Sequence, residues 1–480
     1  MKYISSLLFL LLIVQCCMAG SIVRFEISKP YAVLNFVEAA AGAEAYSPTL
    51  KSFIESKISR DDSAFNQLVK RFSDIRLHYT YVIDEHPVTR KQHRTTYDLL
   101  IIAAVKSRTL DEFSSNSIGL LPNYDHAALF RILSAAEKYY DRTVWKDYQQ
   151  TVSRQASVLR QYETKANDLF SLFRHFYNSG WTDDIPFNVT LVPIPGNSGT
   201  STATPHANSL CVGILTGNKD FPGTMGVVMH EICHVLYDEQ RSGFQHTLDS
   251  AFRNSTSPYN NVAYSFFDEA LATTLGNGWA YKEITGQADT TAWYNNKYID
   301  GFAHAISPLV ATYLKDKKTM DKDFVNKAID LFGKTFPDAL TDYSILLGNM
   351  YLYADVETIE ERRELKNTLN RYFQSSRYNF SSPVLHEYSL RSLNTAKQTQ
   401  LIVIERNHAE TLQGLENIFP EIKSLLNNKH DPDYVLSFFD KEKRPVLIVY
   451  VKDSHTLDKA FKLMQQQQYL RADQPYQPVL

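Results

Sequence analysis

The chain has 480 residues and a mass of 55.0 kDa; 44% of the residues are hydrophobic and 12% aromatic. Its 50 Lys and Arg against 53 Asp and Glu leave a net charge of −3, which gives no electrostatic footprint for nucleic acid or an anionic membrane surface as a partner. Such a composition excludes a disordered tail or a disulfide-stapled mini-protein, and at roughly 100–200 residues per domain the length suggests two to four domains.

Met1-Lys2-Tyr3 is a short positive start, and Ile4 to Val14 is apolar apart from Ser5 and Ser6. The run is shorter than the about 20 residues that span a bilayer, and Cys17 and Ala19 supply small residues before Gly20, so residues 1–19 are expected to be a secretory signal peptide. Gln15 stands where a lipobox needs a small residue, which argues against a lipid anchor. No later stretch approaches spanning length without charges. The mature chain is therefore expected to be secreted or periplasmic, without an integral membrane segment. Of the four cysteines, Cys211 and Cys233 lie beyond the signal, either as one bridge or as two buried thiols.

Ile22–Ser28 alternates apolar and polar residues and predicts a strand ending before Pro30. From there to about Asn178 the spacing is helical, as in Thr96–Thr109 (Leu99, Leu100, Ala103, Ala104) and Tyr124–Tyr140 (Leu129, Ile132, Leu133, Ala136). Phe187–Ile194 then reads as a strand, Pro195–Thr202 as a loop, and Ser209–Leu215 as a second strand closed by Gly217-Asn218.

Next comes His230-Glu231-Ile232-Cys233-His234, an H-E-x-x-H pattern. Residues i and i+4 share one helix face, so both imidazoles can reach a single zinc ion while Glu231 sits beside its water. Pro222 in the first turn, Asp220 or Thr224 as a cap and Gly243 beyond the end frame a helix. In a random chain of this composition the pattern arises with a probability of roughly 0.02. A catalytic zinc usually has three protein ligands. The small-residue stretch Phe266–Gly276 predicts a helix able to pack closely against the first, and supplies Glu269 as the third. Asp268 and Glu269 point about 100° apart on a helix, so only one of them can be the ligand. Asp238 lies about 12 Å along the helix from the level of His230, too far to share the ion. His246 reads as a solvated loop residue.

Past Gly278 the spacing is helical through Phe302–Lys315, Lys322–Phe332 and Val356–Phe373. Leu401–Glu405 and Val446–Val451 are strand-like, and Ala409–Leu426 and Leu457–Met464 helical, which predicts a small α/β layer with a parallel pair. The tail Gln465–Leu480, with four consecutive Gln, is expected to be mobile.

Val228–Leu236 and Asp268–Ala272 together resemble the zincin metallopeptidases, specifically the gluzincin branch, in which a Glu on a later helix is the third zinc ligand. The resemblance covers roughly residues 185–280. It implies that His230, His234 and Glu269 bind one Zn2+ and that Glu231 is the general base acting on a peptide or protein substrate. It also casts Ser209–Leu215 as the sheet edge that pairs with extended substrate. Two features depart from the thermolysin-type pattern: the connection from His234 to Glu269 is longer, and Thr273 stands where those enzymes carry an Asp. The partner orienting a zinc-bound His is thus open between Asp238 and Asp268, and Tyr298, His304 and Tyr313 are the candidates for oxyanion stabilisation. The fold expected is α+β and predominantly helical. Its parts are a mainly helical region over 20–180, a zincin-like core over 181–395 and a C-terminal α/β segment over 396–480. The alternatives are a zincin-like binding module without catalysis, a hydrolase of a non-peptide amide, and a helical protein in which the motif is accidental.

Overall fold

A computed structural model describes residues 21–43, 46–82, 84–87, 93–375, 377–405 and 408–480, so the expected signal peptide lies outside the described residues. The protein is α+β and predominantly helical, as expected. It divides into two compact units, residues 1–335 and 336–480. Among the described residues no helix is long and apolar enough to cross a membrane.

The first unit is built on a four-stranded sheet. Its strands are β1 (Val23–Glu26), β4 (Phe187–Ile194), β5 (Thr202–His206) and β6 (Ser209–Leu215), in the order β1-β4-β6-β5. The first three in that order are parallel and β5 is antiparallel to β6. A separate hairpin pairs β2 (Thr80–Val82) with β3 (His93–Thr95). Three of the strands lie where the pattern placed them, but the edge does not. Ser209–Leu215 is an interior strand, because the loop after Ile194 returns as β5, and Ala207 at φ 50° turns that strand back into β6. The short, polar Thr-Ala-Thr-Pro-His has no apolar alternation to announce it. Pro205, which cannot donate to a ladder, is tolerated because the strand is an edge.

The helical first third folds over this sheet. The Lys29–Ala41 helix is capped by the Ser28 hydroxyl, carries Pro30 in its first turn and stops at Gly42 in the left-handed conformation. Its Val33, Phe36 and Val37 share one buried core with Leu100 and Ile101 of the Thr96–Lys106 helix, Leu129 and Leu133 of the Asn123–Tyr140 helix, Val192 and Ile194 of β4 and Cys211 of β6. Cys211 and Cys233 are two separate buried thiols, not a bridge.

The second unit is a six-stranded sheet of β7 (Asn349–Ala354), β8 (Arg377–Ser381), β9 (Thr399–Ile404), β10 (Tyr434–Phe439), β11 (Pro445–Tyr450) and β12 (Tyr476–Pro478), in the order β12-β10-β11-β9-β7-β8. β9 and β11 are the expected parallel pair. Two points differ from expectation. The unit begins at Phe336 rather than at 396, because β7 pairs in parallel with both β8 and β9 and so ties residues 349–381 to this sheet. The tail is also ordered: the glutamine run closes the Ser454–Gln467 helix, and β12 pairs with β10, with the Tyr476 hydroxyl donating to Asp431 at 2.7 Å. Alternate strand residues face two helical layers. Leu352 and Val449 pack with Leu365 and Phe461, and Tyr353 and Ile448 with Leu393 and Phe419.

Candidate metal centre

The Phe221–Asp238 helix starts where its sequence provides for it: Asp220 Oδ1 accepts from the Gly223 amide at 2.9 Å and Pro222 occupies the first turn. Met225, Val228, Met229, Ile232 and Leu236 bury one side. The opposite side carries His230, Glu231 and His234 into a cleft of about 1150 Å³, walled by β5 on one flank and by residues 289–295 on the other. The helix ends at Asp238, short of Gly243, and His246 lies on the next helix, Ser242–Arg253, near the Glu85 carbonyl rather than in the cleft.

The Asn260–Ala272 helix brings in Asp268 and Glu269 and continues as a π-helical segment, Thr273–Ala280. Small residues permit the approach. A Cβ on Gly276 would lie 2.5 Å from the His230 nitrogen, and one on Gly226 would lie 3.1 Å from the Gly276 carbonyl oxygen. The wider π turn presents Asn277 to His230.

The proton positions follow from the partners. His234 Nδ1 faces Asp268 Oδ2 at 2.9 Å, and His230 Nδ1 faces Asn277 Oδ1 at 3.0 Å. The Asn277 amide is oriented by its own NH2, which donates to the Trp293 carbonyl at 3.2 Å, so its oxygen must face the ring. Both imidazoles therefore carry a proton on Nδ1 and turn Nε2 inward, and the two Nε2 atoms stand 3.0 Å apart. Glu269 completes the ring of acceptors, its oxygens 3.5 Å from His230 Nε2 and 3.6 Å from His234 Nε2; Oε2 is buried without a hydrogen-bond partner. Only a cation between them, a proton or a metal ion, relieves these opposed lone pairs. All three donor atoms lie within 4.8 Å of one another, and two imidazoles with one carboxylate is a donor set suited to zinc.

The electrostatics follow the same geometry. Burial disfavours the Glu269 charge, yet the two imidazoles outweigh it and hold the carboxyl well below its usual range. Burial likewise works against a charged His234, but Asp268 and then Glu269 raise its proton affinity well above that of an ordinary histidine. Glu231 is shifted the other way, raised by burial and only partly restored by His234 and His230.

Of the residues left open by the sequence, Asp268 is the partner of His234, and Asp238 lines the cleft. None of Tyr298, His304 and Tyr313 lines it. Tyr298 stacks on Phe266, Tyr313 donates to Asp321 at 2.9 Å, and His304 lies against Trp293 with ring centroids 3.8 Å apart. Two tyrosines, Tyr281 and Tyr294, do line the cleft; the ring of Tyr294 lies nearly parallel to His230 at 6.2 Å, and its hydroxyl, through burial and then the Glu269 charge, is pushed up to about 12. Its loop is pinned by Asp300, which accepts from the amides of Trp293 and Tyr294 at 2.7 and 3.1 Å. No protein-family model, curated protein or solved structure matches the chain.

Proposed function

We propose that the protein is a zinc-dependent metallopeptidase of the gluzincin type, with a zincin-like core made of β1, β4, β6 and β5 and the helices that carry His230 and Glu269. One observation carries the reading: two imidazoles with committed Nδ1 protons converge on one carboxylate beside a buried glutamate. His230, His234 and Glu269 would hold one zinc ion, oriented by Asn277 and Asp268. The ion supplies Lewis-acid activation of a water and of the scissile carbonyl.

This chain's own groups do the rest. Glu231, whose proton affinity is raised by burial, takes the proton of the attacking water and delivers it to the leaving amine. Tyr294 keeps its hydroxyl proton at neutral pH and donates to the oxygen on which charge develops. The outer edge of β5 lies along the cleft and offers backbone groups to an extended peptide. A signal peptide at residues 1–19 would place this activity in a secreted or periplasmic setting.

Metal analysis coupled with cleavage of a peptide library tests the reading. The expected result is one zinc ion per chain, with peptide cleavage by the parent protein and cleavage slower by about 10²-fold or more by Glu231→Gln. Protein that neither contains nor takes up zinc, or Glu231→Gln protein that cleaves at the parental rate, overturns it.

A further inference from the structure

Beside the metal centre the cleft opens into a side pocket of about 240 Å³, with Pro205, His234 and Asp238 lining both spaces. Leu99 and Ile102, on the Thr96–Lys106 helix, form an apolar wall, and Tyr81 of β2 stands at the rim. Leu99 is 37% exposed and Tyr81 38%, which makes them two of the few large hydrophobic side chains left open to solvent among the described residues. An apolar surface held open within a concavity is what a ligand's hydrocarbon part requires.

Charge completes the description. Asp98, Asp238 and Glu239 all line the pocket; of the basic side chains beside them, Arg94 is ion-paired with Glu239 at 2.7 Å, His206 is bonded to Asp98 at 2.9 Å and His234 turns its Nδ1 to Asp268. Burial disfavours a charged Asp98, but hydrogen bonds from His206 and Thr95 outweigh it and lower its proton affinity, so this carboxylate stays ionised. The main cleft continues the same sign. Asp220 and Asp289 join the carboxylates at its centre, and no Lys or Arg is found among its lining residues.

From an apolar wall ending in carboxylates we infer that this pocket is the side-chain subsite next to the scissile bond and accepts a long basic residue, Lys or Arg, of the substrate. The methylene stem of such a side chain lies along Leu99 and Ile102 while its charge reaches the Asp98 and Asp238 end, a division that suits an amphipathic side chain. An acidic residue at the same position meets like charge and is rejected.

The inference rests on the peptidase reading, and the experiment separates the two. Labelled peptides carrying Lys, norleucine or Glu at successive positions are titrated by fluorescence anisotropy into zinc-loaded Glu231→Gln protein, and the same peptides are offered to the parent for cleavage. At one position Lys is expected to bind about fivefold more tightly than norleucine, the scale of a partly exposed ion pair, and the difference to shrink in high salt. Adding Asp238→Asn, on an exposed helix end, removes the difference, whereas adding Leu99→Ala weakens the Lys and norleucine peptides alike. Equal binding of Lys and norleucine at every position, or a Lys preference untouched by Asp238→Asn, overturns the inference even if the parent cleaves. A Lys preference that survives while the parent cleaves nothing upholds the subsite and overturns only the peptidase reading.

Discussion

Gly276 and His230 approach so closely that the smallest side chain on the glycine would meet the histidine's backbone nitrogen at 2.5 Å. Backbone faces backbone here, so no flexible side chain can give way. Gly276→Ala is expected to force the π-helical segment off the His230 helix and destabilise the first unit by about 3 kcal/mol, the upper range for overpacking. All four tryptophans, Trp145, Trp181, Trp279 and Trp293, lie in this unit, so denaturant unfolding followed by tryptophan fluorescence reads it directly. An unchanged midpoint would contradict the packing described.

The side chains that orient the imidazoles should matter for affinity rather than for folding. Asp268→Ala and Asn277→Ala are each expected to weaken zinc binding by about 10–100-fold, measured by competition with a chelating dye, while far-UV circular dichroism stays the same. Loss of either His230 or Glu269 as alanine should abolish stoichiometric zinc.

Glu231→Gln preserves shape and removes the proposed base. Zinc content should be parental and kcat lower by about 10²–10⁴-fold, the range attributable to a positioned proton acceptor. Parental kcat in that variant would remove Glu231 from the chemistry.

Tyr294→Phe deletes one hydroxyl from the cleft. A fall of about 10²-fold in kcat with little change in KM is expected for a donor that acts mainly on developing charge. An effect confined to KM would make Tyr294 a substrate contact instead.

A fifth expectation concerns Glu38, which lines neither the cleft nor its side pocket. Burial raises its carboxyl from 4.5 to about 7, with the Tyr97 hydroxyl, donating at 2.6 Å, pulling part of the way back. The folded protein therefore holds this proton more tightly than the unfolded chain. The stability so gained is fully present below the unfolded value and is lost as pH rises through about 7. Glu38→Gln should leave tryptophan-monitored stability nearly unchanged at pH 4.5 and raise it by about 2 kcal/mol at pH 8. Equal parental and variant stabilities at both pH values would refute this.

What the sequence disclosed about the site was local. His230, Glu231 and His234 announce themselves because four residues make about one helical turn, and Glu269 follows from a helix rich in small residues. Asn277 was hidden: its direction depends on a π turn, and α-helical spacing from Glu269 does not place it at His230. The Gly276-Asn277-Gly278 run was the available signal. Tyr294 sits in an aperiodic loop whose backbone is held by the Asp300 side chain, a tertiary fact with no periodic trace. The same reason hid the boundary between units. β7 is a short, mostly apolar run and β8, Arg-Tyr-Asn-Phe-Ser, a short alternating one, and only pairing with β9, some fifty residues after β7 begins, shows which unit they belong to.

Cys233 precedes His234 by one residue, yet its thiol is fully buried and raised well above its ordinary range, by burial first, with the Tyr177 hydroxyl opposing in part; Cys211 is likewise buried and raised, with Tyr31 in the opposing role. Thiols kept in that state present almost no thiolate to an oxidant or an alkylating reagent. These two cysteines thus need no oxidative folding step and no reductant in storage. A thiol-titrating dye should leave Cys211 and Cys233 unmodified in the native protein and modify both after unfolding.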